Sequence, residues 1–89
     1  MFKELMELLA HLEEVGDVTL DVDGTDVFVT FEDFDGFDDD WSEVMREYVD
    51  ADGVRRALEM LRKFCSGDFY EEGSLDGHYF VVGWSSFDI

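Results

Sequence analysis

From Phe2 to Val15 the apolar residues Phe2, Leu5, Met6, Leu8, Leu9, Leu12 and Val15 recur at three- and four-residue spacing, with Lys3, Glu4, Glu7, Glu13 and Glu14 mostly between them. This spacing predicts an amphipathic helix with one buried face, stopped by Gly16. The period then changes to two. Val18, Leu20 and Val22 alternate with Asp17, Thr19, Asp21 and Asp23, the pattern of a half-buried strand. Asp23-Gly24-Thr25 supplies turn chemistry, and Asp26 to Phe31 is a second β-rich run, so the two read as a hairpin. Its outward face carries acids at every second residue, about 6.8 Å apart along the strand.

Beyond the hairpin, Asp40-Trp41-Ser42-Glu43 has the form of a capping box, with Asp40 as N-cap and Glu43 reaching back. Trp41, Val44, Met45, Tyr48 and Val49 follow at helical spacing, and Asp50-Ala51-Asp52-Gly53 interrupts them, with Asp50 or Asp52 capping the next segment. In that segment Val54, Leu58, Leu61 and Cys65 mark a buried stripe, with Ala57 and Phe64 beside it, and Ser66-Gly67 ends it. Residues 68–72 and 78–84 read as two more strands joined by Gly73 to Gly77. The residues around Asp23-Gly24 and Asp76-Gly77 echo each other, too briefly to establish a duplication. The predicted fold is α+β in one domain, residues 1–89. It is a four-stranded, mainly antiparallel sheet with helices packed on one face, in the order α-β-β-α-(α)-β-β.

Charge changes the picture more than any motif does. The 89 residues hold 24 Asp and Glu against 6 Lys and Arg, a net charge of −18. A small soluble domain is comfortable at roughly 2 to 8 charges, so this chain tolerates self-repulsion beyond what solubility requires. A positively charged partner offsets that cost, as does a high-salt environment, where screening shortens the repulsion. Aromatic residues make up 16% of the chain, which separates it from disordered acidic tails. Cys65 is the single cysteine, so no internal disulfide forms and a reducing, cytoplasmic location is expected. The apolar runs are too short to span a bilayer, and the N-terminus has no signal-peptide pattern. Anionic lipid and nucleic-acid phosphates repel such a chain, so neither membrane nor direct DNA or RNA binding is expected.

Specific chemistry finds little support. Asp33-Phe34-Asp35-Gly36 and Asp21-Val22-Asp23-Gly24 both contain D-x-D-G, but counted from Asp33 a calcium loop would need its glycine at position 6 and glutamate at 12, and position 12 is Val44. His11, Cys65 and His78 lack zinc-ligand spacing. With so many acids, paired carboxylates carry no diagnostic weight for acid/base catalysis. No P-loop, dinucleotide fingerprint or nucleophile elbow is present. No enzyme activity, metal or cofactor is therefore expected.

The acidic stretch from Glu32 to Glu43, EDFDGFDDDWSE, interleaves its carboxylates with Phe34, Phe37 and Trp41. Such rings give a loop something to bury, and so a means of fixing its charges. In length, charge, this acid–aromatic stretch and the alternating strand from Asp17 to Asp23, the chain resembles the small acidic nucleic-acid-mimic inhibitors of phages and mobile elements, including anti-CRISPR proteins. The resemblance is one of type, with no signature motif. It implies a DNA mimic that acts by blockade of a basic nucleic-acid site in a host defence complex, a CRISPR–Cas effector above all, in the host cytoplasm, as a monomer or small homo-oligomer. Asp33, Asp35, Asp38, Asp39 and Asp40 would supply the main patch, extended by Asp17, Asp21, Asp23, Glu32 and Glu43. Two alternatives remain open: an acidic immunity protein or antitoxin that plugs a basic nuclease toxin, and a halophilic domain whose acids hold hydration.

Overall fold

The computed structural model describes residues 1–32, 48–67 and 71–84. Among them are two helices and five strands, α1 (Phe2–Val15), β1 (Val18–Asp23), β2 (Asp26–Phe31), α2 (Ala51–Arg62), β3 (Cys65–Ser66), β4 (Glu72–Leu75) and β5 (His78–Trp84). The first helix and the first hairpin form where the hydrophobic pattern places them. Gly16 closes α1 with its own N–H on Glu13 O and that of Asp17 on Leu12 O, the paired bonds of a Schellman stop. Asp50 caps α2 by accepting from the Gly53 N–H at 3.0 Å. The predicted helix that begins at Trp41, with its capping box, lies outside the described residues, apart from Tyr48 and Val49 at its end.

The sheet differs from the expected one. It has five strands in the order β1-β2-β5-β4-β3, and its central pair, β2 and β5, is parallel, while the three other pairings are antiparallel. The four-stranded, mainly antiparallel expectation is corrected on both counts. Strand β4 also starts later than the expected 68–72, because the turn that follows it needs only two residues. Asp76 and Gly77 have φ of 51° and 76°, the left-handed pair that a type I′ hairpin demands. The residues before Asp76, which sequence reading assigned to a linker, are therefore strand. Gly73 within it lies so close to the end of α2 that an added Cβ would sit 2.6 Å from the Cys65 Cα, which permits the β3–β4 contact despite glycine's poor strand propensity.

Both helices cover one face. Leu5, Leu9 and Leu12 of α1 and Val54, Ala57, Leu58 and Leu61 of α2 share a buried cluster with Val18, Val27, Val29, Phe31, Phe80 and Val82 of the sheet. Phe31 stacks on Trp84 at 4.9 Å between ring centroids, and Phe80 meets Phe2 and Phe64 edge-on. Along β1 the inward series thins from buried Val18 to half-buried Leu20 to exposed Val22.

One carboxylate ties these layers together. Asp17 is 3% exposed. Its Oδ1 accepts from the Val49 N–H at 2.7 Å and its Oδ2 from the Asp50 N–H at 2.8 Å. Its carbonyl accepts from the Glu32 N–H at the end of β2. The first two bonds are charge-assisted and lie at the start of α2, where the helix dipole favours an anion. Asp17→Ala leaves both N–H groups without their partner and is expected to cost about 2–4 kcal/mol, read as a lower urea midpoint at unchanged m-value. Asp17→Asn, which keeps one acceptor, should fall between.

Candidate functional site

The face of the sheet opposite the helices is built by strand parity. Residues 19, 21 and 23 of β1, 26, 28 and 30 of β2, 79, 81 and 83 of β5, and 72 and 74 of β4 point away from the core in registered rows. One row runs Asp21, Phe28, Val81, Glu72, and the next runs Asp23, Asp26, Tyr79, Ser74. Neighbours within a row lie about 5 Å apart and successive rows about 6.8 Å apart. Phe28 and Tyr79 are each 38% exposed, large rings left on the surface with a carboxylate beside each. Phe28 is the direct cross-strand partner of Asp21, and Tyr79 that of Asp26.

The two faces differ in the signs they carry: the helix layer mixes exposed Glu4, Glu7, Glu13, Glu14, Asp52 and Glu59 with basic side chains, and the open sheet face does not. Among the described residues the cations are Lys3 on α1, Arg55, Arg56 and Arg62 on α2, and Lys63 at its C-cap. None stands on the open sheet face. Arg55 is paired with Asp52 at 2.7 Å, in solvent. On the open face the Tyr79 hydroxyl donates to Glu72 Oε2, and that bond, followed by slight desolvation and the charges of Glu72 and Asp26, holds the phenol above its ordinary range. Asp23 and Asp26 face each other across the hairpin end, a like-charge pair that costs roughly 0.2–1 kcal/mol.

The expected site residues divide into three groups. Asp21 and Asp23 stand exposed on the open face, and Glu32 continues its edge, half-buried, with Oε1 accepting from the Thr19 hydroxyl. Asp17 was expected on the same outward side, but the strand begins one residue later and its carboxylate turns inward to α2. Asp33, Asp35, Asp38, Asp39, Asp40 and Glu43 lie outside the described residues. Sequence reading left out Asp26, Phe28, Glu72, Tyr79 and Val81. Parity within β2 was enough to find Asp26 and Phe28. Parity within 78–84, the bounds expected and observed for β5, was likewise enough for Tyr79 and Val81, while Glu72 required the I′ turn at Asp76-Gly77 to set the bounds of β4.

Elsewhere the described residues offer little for covalent or metal chemistry. No group of three or more His, Cys, Asp or Glu among them could hold a metal ion, and no helix among the described residues is long and apolar enough to cross a membrane. His11 Nε2 lies 3.1 Å from Asp50 Oδ2, bridging α1 to the α2 cap, and His78 stacks on Phe2 at 4.3 Å. Cys65 is buried, and burial pushes its thiol up to about 11. Because the folded value is raised, any stability it lends is full at neutral pH and lost as pH climbs from about 9 to about 11. The thiol is expected to resist iodoacetamide at pH 8 in the native protein and to react readily in urea, as mass spectrometry would record.

Compared with protein-family models, characterised proteins and solved structures, the chain matches none.

Proposed function

We propose that this protein is a non-enzymatic inhibitor that acts as a DNA mimic. Its acidic sheet face occupies a Lys/Arg-lined nucleic-acid site of a host defence complex, with a CRISPR–Cas effector as the leading target, and excludes the nucleic acid. The observation that carries this reading is the single sign of charge on the open face. Asp21, Asp23, Asp26 and Glu72 share a sheet face without a described cation, while Arg55, Arg56, Arg62 and Lys63 belong to the helix layer.

Magnitudes support it. Each of two rows on the open face holds two carboxylates, Asp21 with Glu72 and Asp23 with Asp26, and with rows about 6.8 Å apart charge recurs about every 3.4 Å, as it does along one strand of DNA. Carboxylates held on paired strands lose little freedom on docking, so more of their attraction survives as affinity. The like-charge pair Asp23–Asp26 is a local cost that a cationic partner would relieve. Asp33, Asp35, Asp38, Asp39, Asp40 and Glu43 follow β2 in the chain and would extend the same negative field.

The test is competition. Added to a guide-loaded effector with labelled target DNA, the protein is expected to abolish DNA binding at low salt and to lose that effect as salt rises. The triple variant Asp21→Asn, Asp23→Asn, Asp26→Asn should weaken inhibition about tenfold or more while its circular dichroism is unchanged. Asp38→Asn, Asp39→Asn, Asp40→Asn together measure the share of the acidic stretch. Unhindered DNA binding beside folded protein would sink the assignment to that effector. Neutralisation of a co-encoded basic nuclease, with CRISPR interference untouched, would transfer it to the toxin class.

A further inference from the structure

We infer that the open sheet face reads arginine in preference to lysine, through two aromatic platforms that each have a carboxylate alongside. The inference rests on the proposed docking to a basic site and narrows the chemistry of the partner. A surface that only opposed charge to charge would need no exposed rings, and these rings are neither absorbed in the core nor scattered. Phe28 and Tyr79 stand on adjacent central strands, one diagonal step apart, with Val81 the direct cross-strand partner of Phe28.

The arrangement suits a guanidinium. That group is planar, weakly hydrated and forked, so it can lie on a ring face while its N–H groups meet a neighbouring carboxylate. Asp21 lies beside Phe28 and Asp26 beside Tyr79, each as a direct cross-strand partner, about 5 Å away and therefore within reach of a cation centred over the ring. Glu72 receives the Tyr79 hydroxyl and so fixes that ring's orientation. An ammonium is a compact, strongly hydrated point charge that gains from the carboxylates but little from the flat faces. The occupant is accordingly an arginine-rich strand or loop of a nucleic-acid-binding protein.

The experiment compares two peptides of equal length and charge, alternating arginine–glycine and alternating lysine–glycine, by fluorescence anisotropy at low salt. The arginine peptide is expected to bind about tenfold more tightly, the sum of two exposed cation–π contacts. Phe28→Leu, which keeps apolar area and removes one π face, should narrow the advantage to about threefold by weakening the arginine peptide alone. Tyr79→Leu repeats the test at the second platform, and the two changes together should bring the affinities of the two peptides level. Asp21→Asn with Asp26→Asn should weaken both peptides. Equal binding of the two by the native protein, or an arginine advantage that survives both leucine variants, would overturn the inference and leave the charge-based mimic standing. Absence of binding by either peptide would remove both.

Discussion

A buried carboxylate inside a chain of this charge is the constraint on which the rest depends. Asp17 sits where α1 has just ended and β1 is about to begin, and its two oxygens hold the N–H groups of Val49 and Asp50 at the entrance to α2. Asp50 passes the connection on, capping α2 through Gly53 and meeting His11 of α1. The main chain of Asp17 meanwhile pairs with Leu12 and Glu32. Four elements thus converge on one residue, and their mutual placement fixes which side of the sheet the helices cover. The acids on the other side are left to solvent by the same decision. Burying an anion is tolerable because every bond it accepts comes from a backbone donor that would otherwise be orphaned at a helix start.

The two faces are two solutions to one problem of composition. Apolar residues at alternate strand positions must be covered, and two helices with continuous leucine and valine stripes cover them. What remains outward is everything the helices did not need, and there the chain placed carboxylates and aromatic rings with no described basic side chain. A folded domain ordinarily mixes signs on such a face. Here the mixing is confined to the helix layer, and that gives the molecule a direction. One surface attracts cations, and the layer behind it carries most of the basic residues.

How much of this could be read from the residues varies with the kind of information involved. The helix from Phe2, the hairpin from Val18 and the Asp50 cap depend on neighbours within a few positions, and periodicity reveals them. Asp17 was misplaced because alternation predicts a side but not the residue at which a strand begins, and its acceptor role depends on donors more than thirty positions away. Strand β4 was displaced because Glu72-Gly73-Ser74-Leu75 is weakly β-prone. Its position is set by the two-residue turn after it and by the room that Gly73 leaves for Cys65. The parallel partnership of β2 and β5 has no local signature at all. The acid–aromatic stretch was the loudest sequence signal, yet the described part of the candidate surface includes Phe28, Tyr79, Asp26 and Glu72, whose meaning comes from register.

The strand pairing at the centre of the sheet also sets a schedule. Strand β2 ends at Phe31 and its parallel neighbour β5 begins only at His78, so during synthesis the first hairpin and α1 emerge long before the strand that completes the middle of the sheet. Until then Val27, Val29 and the Phe31 ring lack Phe80, Val82 and Trp84, and one backbone edge of β2 stands open. Pairings between distant segments form slowly, and exposed edges invite association with other chains. The abundant negative charge bears on that interval as well, since nascent copies that repel one another are kept from pairing edge to edge while each waits for its own β5.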